Sequence, residues 1–143
     1  MGASIVAYWP GITAEQDHSQ PGFANDDRAW GNWMAEREDD VAVLQAVADL
    51  GASALLTAKT DGWADDDVTW ATPRELAQAA LALRRAVEHH HPAVGCILAS
   101  YARNANGVYP LVDEFLMDLD DIAALAAWAE REGAVRMTLE VNW

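Results

Sequence analysis

Apolar and polar positions along this chain combine into one pattern that occurs twice. From Asp39 the residues run Asp-Asp-Val-Ala-Val-Leu, continue through Val47 and Ala48, stop at Gly51-Ala52 and re-enter an apolar run at Ala54-Leu55-Leu56. From Asp120 they run Asp-Asp-Ile-Ala-Ala-Leu, continue through Trp128 and Ala129, stop at Gly133-Ala134 and re-enter at Val135. Acidic residues in a first turn complement the helix dipole, apolar residues three and four apart make one buried face, and Gly takes the left-handed conformation that ends a helix. Each copy therefore predicts a helix followed by a strand, over 39–60 and 120–143.

The rest of the pattern fills in a sheet. Ser4 to Trp9 is a short apolar run closed by Pro10-Gly11, a strand and a turn. Ile12 to Phe23 shows no period and holds a lone His18, so it reads as a loop. Asn25-Asp26-Asp27 offers a helix start, after which Trp30, Trp33, Met34, Val41, Leu44 and Ala48 share one face of one long helix or of two joined near Asp39. Ser53 to Thr60 reads as a strand, Asp61-Gly62 as a hairpin turn and Val68 to Trp70 as a short returning strand. Thr72-Pro73-Arg74-Glu75 has the form of a capping box with Pro at the first helical position, and Leu76, Ala79, Ala80, Leu83 and Val87 stripe the helix it starts. Val94 to Ala102 is apolar on both faces and predicts a central strand, with Val108 to Met117 as its hairpin partner across Asn104-Ala105-Asn106-Gly107. Val135, Met137, Leu139, Val141 and Trp143 alternate with polar neighbours, predicting a last strand buried on one side. The fold class expected from this order is α+β, a single domain over 1–143: a two-layer sandwich of mainly antiparallel sheet with helices on one face, or a ferredoxin-like plan with an inserted helix.

Charge changes the picture from architecture to partners. Asp and Glu number 23 against 9 Lys and Arg, a formal net charge of −14. Such a field repels nucleic-acid phosphates and anionic membrane and steers basic proteins toward the surface, so a basic protein partner is expected and direct nucleic-acid or membrane binding is not. No apolar stretch has the length of a membrane span, and the single cysteine, Cys96, lies in an apolar run and reads as a buried thiol of a reducing compartment. The expected location is the cytoplasm.

Seven tryptophans are the second departure from ordinary composition. Trp128 falls on the apolar stripe of the last helix. Trp30, Trp33, Trp63 and Trp70 each stand near acidic residues, which is how interface anchors look, and Asp65, Asp66 and Asp67 lie between the last two. The aspartate run lacks the alternating oxygen ligands, glycine and closing glutamate of a calcium loop. His89, His90 and His91 precede Pro92 at a helix end, where consecutive side chains diverge by about 100° and do not converge on one ion. No nucleophile elbow, phosphate loop or dinucleotide loop is present, so neither a cofactor nor a metal is expected. These features point to an acidic inhibitor of a basic enzyme, of the immunity-protein or antitoxin type and suited to a nuclease toxin, with Trp63, Asp65, Asp66, Asp67, Trp70, Trp30 and Trp33 as the contact residues. The alternatives are a small-molecule- or metal-binding enzyme domain with a Trp-lined pocket, and a structural interaction module of a larger assembly.

Overall fold

A computed structural model describes residues 4–21, 30, 33, 40–60, 68–103 and 110–142. The expected sandwich does not form. Among the described residues the order is β1 (Ser4–Tyr8), α1 (Ala14–His18), α2 (Val41–Asp49), α3 (Ala54–Thr57), β2 (Lys59–Thr60), α4 (Pro73–Glu88), α5 (Val94–Ala102), α6 (Leu111–Arg131) and β3 (Thr138–Asn142). The protein is thus mostly helical, with one small mixed sheet in the order β1-β3-β2, and neither a sheet-dominated two-layer sandwich nor a ferredoxin-like plan describes it.

β3 is the central strand. It pairs antiparallel with β1, Ile5 opposite Val141 and Ala7 opposite Leu139, and parallel with β2, Lys59 beside Leu139 and Thr60 beside Glu140. Ala71 adds an isolated antiparallel bridge to Met137. Residues opposite one another in a sheet share a face, so Ile5, Ala7, Leu139 and Val141 form one buried row. The other face is less wet than the alternation predicts. Thr138 is fully buried opposite Tyr8, whereas Val135 precedes the strand and is 83% exposed. The free edge of β1 is closed by a side chain, since Gln20 accepts from the Ala7 N–H at 2.8 Å and donates to the Ala7 carbonyl at 2.9 Å. That carboxamide takes the place of one residue of a neighbouring strand.

Four expected strands are corrected, one of them Val68 to Trp70, which forms no strand, the chain meeting the sheet only at the Ala71 bridge. Ser53 to Thr60 is mainly the helical turn α3, with only Lys59–Thr60 extended. Val94 to Ala102 is α5, burying Val94, Ile97, Ser100 and Tyr101 at helical spacing and leaving Gly95, Cys96 and Ala99 outside the buried set. Cys96 is therefore an exposed thiol. Within the expected hairpin partner, the residues from Leu111 onward belong to α6, whose 21 residues span about 31 Å. The buried series Phe115, Asp118, Leu119, Ile122, Leu125, Ala126 and Ala129 recurs every three or four positions and explains the helix. Asp118, Asp120 and Asp121 sit inside it, two turns beyond its start, and do not cap it. At the joint near Asp39, Asp40 has left the helical conformation and accepts from the Val43 N–H at 3.3 Å, so a separate helix begins there. α1 replaces part of the expected loop: Thr13 and Gln16 form a reciprocal capping box, and His18 is its exposed last residue. Thr72 caps α4 by accepting from the Glu75 N–H at 3.0 Å, with Pro73 at the first helical position.

α4 and α6 pack along their apolar stripes. Arg74 near the start of α4 meets Glu130 near the end of α6 at 3.3 Å, and Arg84 meets Asp120 at 2.7 Å, so the two helices run antiparallel. These surface pairs are worth about 1 kcal/mol at most, and the buried Leu76, Ala80, Leu83, Leu119, Ile122 and Ala126 supply the larger stabilisation. The buried apolar residues form one continuous core that takes in β1, β3 and five of these helices.

The doubled helix-and-stop pattern is real at the stop. Gly51 (φ 74°) donates to Ala48 and Ala52 to Val47, while Gly133 (φ 96°) donates to Glu130 and Ala134 to Ala129. Each is a Schellman motif, with the six-to-one bond made by a buried alanine. Beyond the stop the two copies diverge, the first entering α3 and the second β3. A third copy ends α4, where His90 (φ 54°) donates to Val87 and His91 to Ala86. His90 thus occupies a position that suits glycine. Replacing it, His90→Gly, is expected to stabilise the protein by about 0.5–1 kcal/mol, and His90→Val to destabilise it by about 1–2 kcal/mol. Urea unfolding of the two variants checks this, and equal stabilities would remove the left-handed cap from the account.

Candidate functional site

The sequence-selected contact residues fall into three groups. Trp63, Asp65, Asp66 and Asp67 lie outside the described residues. Trp30 and Trp33 are helical and fully buried, which corrects their expected place on a contact surface. Their rings meet edge to face at 4.8 Å between centroids and pack on Tyr101 and Phe115, so proximity to acidic residues in sequence reflects neighbours along the chain and not exposure of the indoles. Trp70 alone of these is described and part-exposed.

Trp70 sits where the chain returns to the sheet. Its ring lies 6.0 Å from that of Tyr8, and the Arg136 guanidinium carbon stands 4.8 Å from its centroid. Tyr8 is on β1 and Arg136 precedes β3, so three separate segments build this cluster. A cation over an indole face is worth about 0.5–1 kcal/mol at an exposed site, a bias of a few-fold toward this orientation of Arg136. The chain lies in the sheet at Thr60, beside Glu140, and meets it again at Ala71, beside Met137. The residues that flank the segment 61–70 are therefore both held beside the stretch that runs from Met137 into β3.

Beside Arg136 a groove of about 380 Å³ opens between two turns, the one after β1 and the one after α6. Trp9 and Gly11 contribute from the first, Glu132, Val135 and Arg136 from the second, and Gln16 of α1 from between them. Gln16 ties the walls together, accepting from the Thr13 N–H at 3.0 Å and donating to the Glu132 carbonyl at 3.2 Å. Trp9 also packs edge to face on Trp128 of α6 at 5.5 Å. The sequence carries no signal of this groove, because it depends on two turns distant along the chain.

A second concentration of polar groups is internal. Tyr101 of α5 donates its hydroxyl to Asp118 of α6, and Trp33 donates its indole N–H to Ser100 at 2.9 Å. Arg103 extends the network outward, reaching Ser100 at 3.4 Å and Asp40 at 3.6 Å. Glu114, one helical turn before Asp118, is buried with neither carboxylate oxygen hydrogen-bonded, and the Trp30 indole N–H is likewise without a partner. Tyr101 and Asp118 are shut off from solvent and join α5 to α6, and Glu114 is buried on the same helix as Asp118.

His89, His90 and His91 are exposed, and their visible roles are local: the helix stop already described, and acceptance by His91 Nδ1 from the Ala93 N–H at 3.1 Å. Among the described residues no three His, Cys, Asp or Glu side chains are grouped as ion ligands, and no helix is long and apolar enough to cross a membrane. Comparison of the chain with protein-family models, curated proteins and solved structures gives no match.

The internal network generates a stability prediction of opposite sign at two positions. Glu114→Met removes two buried oxygens that lack partners while keeping the side chain's length, and is expected to stabilise by about 1–3 kcal/mol. Tyr101→Phe takes a donor from the buried Asp118 carboxylate and is expected to cost about 1–3 kcal/mol. Denaturant midpoints at neutral pH measure both, and a destabilised Glu114→Met protein would show that this carboxylate has a favourable role in the folded state.

Proposed function

We propose that the protein is an acidic binding domain that captures a basic protein partner and blocks it, acting as an inhibitor of a cationic enzyme such as a nuclease toxin. The observation that carries this reading is that the chain on either side of residues 61–70 is held beside one stretch of backbone: Thr60 beside Glu140 of β3, and Ala71 bridged to Met137 just ahead of that strand. Binding residues are most effective on a loop whose ends are fixed by a rigid scaffold, because less ordering entropy is lost on association. The sequence between these two attachments carries Trp63, Asp65, Asp66 and Asp67 and ends at the part-exposed Trp70, a set of aromatic anchors and carboxylates suited to arginine and lysine in a cleft built for polyanions. The net charge of −14 adds steering at long range. Trp30 and Trp33 have no part in the proposed surface, being core residues.

Affinity capture followed by identification of a stoichiometric partner supplies the binding measurement. Changing Asp65, Asp66 and Asp67 to Asn is expected to raise Kd by at least about a hundredfold, in the range seen when interfacial hot-spot carboxylates are lost. Glu15→Gln, Asp49→Asn and Glu88→Gln together remove the same charge from exposed positions on α1, α2 and α4, and are expected to slow association only a few-fold, an effect that salt screening abolishes. Equal losses from the two triple variants would mean that the partner reads the overall field and not this loop.

A further inference from the structure

The groove beside Trp70 has a chemistry that an acidic contact loop leaves unused. Arg136 is exposed in a protein where acids outnumber bases 23 to 9; among the described residues it makes no ion pair, as Arg85 and Arg131 also make none, and it differs from those two in lying over an indole. Its contact is with the Trp70 ring. Stacking on an indole restrains a guanidinium while leaving the N–H donors at its edge directed outward, the geometry that receives a carboxylate through two parallel hydrogen bonds. Val135, 83% exposed, stands next to it in sequence and lines the same groove, with Trp9 as a second apolar contributor. The volume of about 380 Å³ lies in the lower part of the range for small-molecule sites.

We propose that this groove binds a small apolar carboxylate, with Arg136 taking the carboxylate and Val135 and Trp9 taking a branched aliphatic group. Charge complementarity at the one basic side chain of the lining selects an anionic ligand; Glu132 shares the groove, so the carboxylate docks against Arg136 and the rest of the ligand carries no second negative charge. The site needs no element of residues 61–67 and stands independently of the proposed partner. Both a free branched-chain acid and the C-terminal residue of a peptide present this chemistry.

Backbone amide shifts of Gly11, Gly133 and Val135 in isotope-labelled full-length protein read the site directly. Titration with N-acetyl-leucine is expected to shift all three, and N-acetyl-leucine amide, which lacks only the charge, is expected to bind about tenfold more weakly or worse. Arg136→Ala should weaken N-acetyl-leucine to the level of the amide, while Arg136→Lys, which keeps the charge without the planar fork, retains part of the affinity. Arg103→Ala, a change just beyond α5, should leave binding unchanged. Isovalerate binding as well as N-acetyl-leucine supports a free acid as the ligand, and a need for the acetyl amide supports a peptide terminus. Absence of shifts at these three amides, equal shifts from acid and amide, or binding that survives Arg136→Ala overturns the proposal.

Discussion

The structure depends on satisfying a five-residue strand on both of its edges. β3 has β1 along one side, and on the other the Leu139 N–H donates to Ala58 at 2.9 Å while the Met137 N–H, just ahead of the strand, donates to Ala71 at 2.7 Å. Met137, Thr138 and Leu139 are fully buried, so water is not available to replace a missing partner and each unpaired backbone group there would cost about 1–3 kcal/mol. Three stretches far apart in sequence, 4–8, 58–60 and 71, are consequently drawn to one place. The placement of the helices is a consequence: α6 ends in a glycine stop five residues before β3, and α4 begins immediately after the Ala71 bridge, which leaves the two long helices antiparallel over one core.

That arrangement also decides where chemistry is presented. Turns that emerge from the sheet bring Trp70, Tyr8 and Arg136 into contact, and the groove opens where β1 and α6 turn back. Elsewhere the polar groups are used inwardly. Tyr101, Asp118, Ser100 and Trp33 knit α5 to α6 and to the buried aromatic cluster, so part of the acidity that marks the composition is structural and does not contribute to a contact surface.

Local signals with a single physical cause are legible in the sequence, and those that need tertiary context are not. Gly51 and Gly133 read as stops because a left-handed residue is nearly always glycine; His90 takes the same conformation and gives no signal, since its stop is enforced by the bonds to Val87 and Ala86. α5 reads as a strand because Gly95, Cys96 and Ala99, which lie off its buried face, are too small or apolar to mark a polar one. In α6, Asp113 and Glu114 interrupt the expected hairpin partner and read equally as a bulge or a helix start; acidic residues in a first turn favour the helix, and the spacing from Leu111 to Phe115 to Leu119 decides for it. Of the candidate site, Trp70 stands out in the sequence; Arg136 looks like an ordinary polar position of the last strand, and Trp30 and Trp33 are misplaced because nearby charge says nothing about which way an indole points.

Native-state hydrogen exchange at β3 tests the dependence on that strand most directly. If the fold hangs on β3, the Met137 and Leu139 amides exchange only through global unfolding, with a denaturant dependence equal to that of the whole protein, while the Ser19 amide at the end of the short α1 exchanges by local opening. Exchange of Met137 and Leu139 through a local opening, with amides in the middle of α4 and α6 still protected, would show that the helices hold together without the strand and would contradict it.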